Sequence, residues 1–148
     1  KDVLAFLKSQ FIMQLGTADE KGKPHVSVLL YFIDNNWNIH FVTHDTSKKV
    51  KNLKTKKNVS VVIWEHDKML VQIEGKAAVV RDKKQKNKIF DKLVAATALG
   101  KDFWPPLFHL GGANYIVHQV KIKHLKALDL TEKQISKEIP PVTEISFK

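Results

Sequence analysis

Six stretches of this 148-residue chain alternate apolar and polar residues with a period of two, and turn signals separate them at hairpin spacing. The runs are 11–17 (FIMQLGT), 25–33 (HVSVLLYFI), 37–44 (WNIHFVTH), 58–64 (NVSVVIW), 69–80 (MLVQIEGKAAVV) and 115–128 (YIVHQVKIKHLKAL). Gly22 closes the turn after the first run, Pro24 opens the second where no donor is needed, and Asp34-Asn35-Asn36 turns into the third. Run 25–33 is apolar on both faces, so a central strand covered on both sides is expected. Gly75 interrupts the long fifth run, where a bulge would let the sheet curl. Six strands with short inserted helices predict a mainly β fold, an antiparallel and nearly closed barrel formed as a single domain over residues 1–148.

Three helices fit between these runs. Asp2 can cap the first, with Val3, Leu4, Phe6 and Leu7 on one face. Asp82 can cap another, in which Ile89, Phe90, Leu93 and Val94 recur at helical spacing and which stops near Gly100. The most unusual segment is 41–53 (FVTHDTSKKVKNL). Its strand ends at Asp45, Thr46 and Ser47 can cap a short helix, and Val50 and Leu53 fall on the buried side. Lys48, Lys49 and Lys51 then crowd the first turn, where the helix dipole already presents partial positive charge. Each misplaced cation costs a few tenths of a kcal/mol up to about 1. Free N–H groups, two hydroxyls and several ammonium groups at one helix start suit a bound phosphate.

A hydrophobic content of 43% and a charged content of 27% belong to a globular chain rather than a disordered one. The net charge of +10 raises nucleic acid as a partner, yet Arg81 is the only arginine. Base-edge readout and bidentate phosphate clamps favour Arg, so nucleic acid is not the expected partner. With no cysteine, disulfides, thiolate metal sites and cysteine nucleophiles are excluded. No apolar run nears the roughly 18 residues that span a bilayer, and no leader pattern opens the sequence. The expectation is a cytoplasmic protein with no membrane partner.

The chain has no G-x-G-x-x-G after a strand, no G-x-x-x-x-G-K-[ST] and no G-x-S-x-G, which argues against a Rossmann site, a P-loop and a hydrolase elbow. Its seven histidines hold no expected metal site. His40 and His44 on a strand stand about 13 Å apart at roughly 3.3 Å per residue, too far to share an ion. His25 reads as a structural imidazole, and His109, in an apolar loop, is the functional candidate. Glu65 and Asp67 flank a turn in solvent. Trp37 and Trp64 read as packing residues, whereas Trp104, stiffened by Pro105 and Pro106, is placed to stack on a flat ring. Residues 101–113 are apolar enough to need cover from a core, a second subunit or a ligand. From Thr131 the tail is expected to lie along the surface.

Five segments in order carry a resemblance: 22–28 (GKPHVSV), 41–43 (FVT), 46–53 (TSKKVKNL), 58–61 (NVSV) and 71–75 (VQIEG). Together they resemble the pyridoxamine 5'-phosphate oxidase-like family of FMN-binding split barrels. The resemblance implies a homodimer with flavin at the subunit interface. Ser47, Lys48 and Lys49 would hold the phosphate with help from Thr43. His25, Val26, Ser27 and Val28 would line the ribityl chain and ring, with Trp104 nearby. It also implies FMN as cofactor, with the deazaflavin F420 or haem as alternatives, and a nicotinamide or small organic electron donor. True oxidases of the family carry an arginine where Ser27 falls, a lysine where Phe32 falls, and an Arg- and His-bearing terminal segment. Residues 131–148 contain neither. The expected activity is therefore FMN-dependent electron transfer other than pyridoxamine phosphate oxidation, or flavin, F420 or haem binding without turnover.

Overall fold

The computed structural model describes residues 2–98, 115–131 and 141–148. Helix α1 (Asp2–Ser9) leads into β1 (Ile12–Ala18), β2 (Pro24–Leu30), β3 (Phe32–Ile33) and β4 (Asn38–His44). Helix α2 (Lys48–Thr55), β5 (Asn58–Glu65), β6 (Met69–Val79) and α3 (Lys83–Ala98) follow, then β7 (Tyr115–Asp129) and β8 (Val142–Ser146). The sheet runs β2-β1-β5-β6-β7-β4-β3, with β8 on β7, and every pairing is antiparallel. It curls so that β2, at the start of that path, comes back into contact with β4. The result is the antiparallel barrel that the alternation predicts, in the split form that the resemblance implies.

Among the described residues eight strands replace the expected six, for two reasons. Run 25–33 breaks at Tyr31, whose N–H turns to the Phe11 carbonyl (3.1 Å) and whose hydroxyl donates to the Leu7 carbonyl. The described part of the tail lies along the surface as expected, and there it also forms β8. On its far side β7 pairs with β4 only as far as Lys121, and β8 takes up the edge from His124 to Leu128. An unpaired edge of that length is a template for any strand that can reach it.

Inward residues of the alternating runs form the core, among them Met13, Leu15, Phe41, Val61, Ile73, Val120 and Leu125. Outside the barrel, Ile89 and Leu93 of α3 cover Leu30, Val42 and Val117. Gly75 lies at a register shift between β6 and β7. A Cβ there would sit 2.6 Å from the Lys121 carbonyl oxygen, so the bulge closes only around a hydrogen.

The expectation of a central, doubly covered β2 is overturned. β2 pairs only with β1, and its outward Val26 and Val28 are 66% and 65% exposed. The strand buried on both faces is β4, where all residues from Ile39 to Thr43 are buried. His40 is tolerated there because its Nε2 lies 3.0 Å from Asp34 Oδ2. Trp37 belongs to the preceding turn, at φ 67°, and packs on Phe147. Trp64, expected as a packing residue, is 51% exposed.

Candidate functional site

The β4–α2 junction gathers the polar groups that the sequence singles out. The Ser47 N–H donates to the His44 carbonyl (3.1 Å), which folds the chain back into the helix. Ser47 has extended backbone angles and is the N-cap, its Oγ accepting from the Val50 N–H at 3.4 Å. Thr43 Oγ1 lies 3.0 Å from Ser47 Oγ, so the end of β4 and the start of α2 share a hydroxyl pair. The first turn carries no acidic residue. Val50, Asn52 and Leu53 are its buried face, and Asn52 Nδ2 donates to Thr17 Oγ1 at 3.1 Å. That buried bond ties the helix to β1, and sequence reasoning missed it because an Asn on an apolar stripe gives no hint of its partner.

The two lysines after the cap differ. Lys48 is exposed, whereas Lys49 is half-buried, and burial pushes its ammonium pKa down. Lys49 makes no ion pair among the described residues. A cavity of about 620 Å³ opens beside this turn, with Ser47, Lys48 and Lys51 on one wall and Asp19 and Glu20 on the other. Asp19 accepts the backbone N–H groups of Lys23 (2.8 Å) and Lys21 (2.9 Å). The Lys23 bond lowers its pKa most; desolvation opposes this, and the Lys21 bond and the charges of Lys48 and Lys23 add to it.

Ser47 and Lys48 line this cavity and Thr43 reaches Ser47 from behind, whereas Lys49, on the same turn, is not part of the lining. The four candidates on β2 do not act as one surface. Val26 and Val28 face outward, while Ser27 faces inward with its Oγ buried and without a hydrogen-bond partner. His25 and Val26 line a separate cavity of about 580 Å³ with Ser60, Glu74 and Lys123. Trp104 and His109 lie outside the described residues.

His118 is given no role by the sequence alone. It is buried and stacked on Phe41, with ring centroids 5.0 Å apart. Burial, then the Lys57 charge, pushes its pKa down to about 4. The alternation with Val120 and Ile122 was the available signal that its side chain faces the core. Glu65, expected free in solvent, accepts from Gln10 Nε2 (2.8 Å) and pairs with Lys68 (3.2 Å). Among the described residues no three His, Asp or Glu side chains converge as a metal site, and no helix is long and apolar enough to cross a membrane.

Solved structures with this architecture include a haem storage protein, HutZ, from Vibrio cholerae (TM-score 0.64, 16% identity, 82% of this chain and 88% of that one). An FAD-binding protein from Mesorhizobium loti has TM-score 0.67 and 18% identity over 85% of this chain and 89% of its own. An F420 reductase has TM-score 0.66 and 18% identity over 82% and 93%. No curated protein matches the chain. Residues 1–110 match the family described as pyridoxamine 5'-phosphate oxidase. With some three quarters of its length in that match, and the split barrel and cationic β4–α2 junction in place, the chain belongs to the pyridoxamine 5'-phosphate oxidase family.

Proposed function

We propose that the chain binds FMN at the start of α2, works as a homodimer, and passes hydride or electrons between a nicotinamide or small organic donor and an acceptor. The observation that carries this reading is Lys49: a half-buried ammonium with no carboxylate partner among the described residues, on a helix turn whose dipole repels it. Such a group is stabilised by an anion. A terminal phosphate monoester carries about two charges, which matches Lys48 and Lys49 beside the hydroxyls of Ser47 and Thr43. Asp19 and Glu20 line the facing wall, so the phosphate sits on the Ser47 and Lys48 side of this cavity. The orphaned Oγ of Ser27 gives β2 a polar atom to offer a cofactor. FMN, when bound, supplies the redox chemistry, while the chain orients it and shields it from water.

The homodimer rests on the outer face of β2, β1 and β5. Val28 pairs with Gln14, which pairs with Val62, and Trp64 lies two residues further along the same face. Val26, Val28 and Trp64 make an exposed apolar band there, of the kind a second subunit covers. Introducing Val28→Asp should turn a dimer into a monomer in sedimentation velocity. A monomeric starting protein would remove the dimer from the reading.

The test of the function is an absorbance spectrum of the purified protein, followed by anaerobic addition of NADH or NADPH. A band near 450 nm that bleaches on addition supports the flavin oxidoreductase. A bound flavin that neither donor reduces supports the alternative, a module that holds its ligand without turnover. A Soret band near 400 nm would replace flavin with haem.

A further inference from the structure

Along another face of α2, a second cavity of about 570 Å³ opens between that helix, the end of β6 and the start of β7. Lys54, Lys57, Arg81 and Lys86 line it, and among the described residues no Asp or Glu does. Among the described residues none of these four cations makes an ion pair; Lys57 Nζ reaches only the Leu53 carbonyl, at 3.5 Å. Arg81, the chain's one arginine, has the planar fork that grips a phosphate or carboxylate through two parallel hydrogen bonds. Val50, Leu53 and Val80 supply an apolar wall.

His118 also lines this cavity, and it is an independent sign of a ligand. The residue is 3% exposed, and its Nδ1 is buried without a hydrogen-bond partner. Buried ring nitrogens are normally satisfied, because an unpaired one forfeits its bond to water for nothing in return. Phe41, stacked on one face of the ring, fixes its plane.

We propose that this cavity is a second ligand site, for a small organic anion with an apolar body and a phosphate monoester or dicarboxylate head. Arg81 and Lys57 hold the head, Lys54 and Lys86 add field at the rim, and the body lies over Val50 and Leu53, with a polar atom that takes up the buried His118 Nδ1 once the side chains covering it part. The imidazole is neutral at pH 7, since burial and the Lys57 charge hold its pKa near 4, so it adds a hydrogen bond without adding charge. This site stands apart from the proposed flavin site. Ser47, Lys48, Lys51, Asn52 and Thr55 of the helix segment line one cavity and Val50, Leu53, Lys54 and Lys57 the other, so the two sites use different helix faces and share no residue.

Calorimetric titration of the purified full chain with phenyl phosphate, phthalate and inorganic phosphate tests the proposal, with imidazole nitrogen NMR of His118 as the second readout. Expected are saturable binding of an aromatic anion tighter than inorganic phosphate, and a shift of the His118 Nδ1 resonance. Preference for phenyl phosphate assigns a phosphate monoester, and preference for phthalate a dicarboxylate. Arg81→Gln and Lys57→Gln should each weaken binding about tenfold or more, while Lys126→Gln, exposed on β7, leaves it unchanged. The proposal is overturned if no probe saturates, if Lys126→Gln weakens binding as much as Arg81→Gln, or if binding is lost in Lys48→Gln and kept in Arg81→Gln.

Discussion

The two ends of α2 carry similar charge and mean different things. Lys54 sits in the last turn, where a cation complements the partial negative charge of the helix C-terminus. Nothing about its own energetics asks for a ligand, and the cavity beside it gains its meaning only from His118. At the other end Lys48, Lys49 and Lys51 oppose the dipole, with no acidic residue in the turn to offset them. There the cost of the charges is itself the signal. A basic composition explains lysines at neutral or favourable positions, but not a half-buried lysine at an unfavourable one.

The largest effect that would sharpen the contrast is a pH dependence confined to the C-terminal end. His118 has its pKa pushed from 6.5 down to about 4 in the fold. Between those values the unfolded chain binds a proton that the folded chain refuses, so stability falls as pH falls through this window. The loss should be on the order of 3 kcal/mol, complete near pH 4. Denaturant titrations at pH 7 and pH 4.5 measure it, and His118→Phe should remove most of the difference. The carboxylates held low by their partners, Asp34 and Glu65, lose their contributions only at still lower pH.

A smaller effect tests whether the two ends are anchored alike. Asn52→Ala removes the bond to Thr17 and leaves a buried hydroxyl unpaired, at a cost of about 1–2 kcal/mol in chemical denaturation. Because the tether joins α2 to β1, this substitution should also weaken cofactor retention at the N-terminal end.

The smallest effect addresses the dipole argument itself. With high salt screening the Asp19 and Glu20 charges that face Lys51 and the Arg81 and Lys86 charges that face Lys54, Lys51→Glu and Lys54→Glu each place a carboxylate three residues from a remaining lysine. Their dipole terms are opposite. Lys51→Glu should exceed Lys54→Glu in stability by about 0.5–1 kcal/mol, read as a difference in melting temperature of the cofactor-free protein. Equal stabilities would show that the first-turn lysines carry no penalty and so no information.

Local chemistry could be read from the sequence where a residue's neighbours in space are its neighbours in the chain. Val50 and Leu53 bury together, Ser47 and Asp82 cap their helices, and Gly75 marks the bulge. What escaped was set by distant segments. The exposure of β2 follows from its place in the sheet order, and β8 from an edge that β4 leaves bare. At the candidate site, Thr43, Ser47 and Lys48 were readable because one turn of chain holds them. The inward turn of Ser27 away from Val26 and Val28 was readable as alternation, but which side a ligand would occupy was not. The cavity over His118 draws Lys57, Arg81 and Lys86 from separate elements, and no single stretch of sequence announces it.

The central claim, that an anionic cofactor tail belongs at the start of α2, is tested most directly by comparing affinity for FMN and for riboflavin, which lacks the phosphate, in the native chain and in Lys49→Ala. The account predicts that FMN binds the native chain at least about tenfold more tightly, as a charge-assisted phosphate contact gives, and that Lys49→Ala erases most of this advantage while riboflavin affinity holds. Equal affinity of the native chain for the two flavins would contradict it.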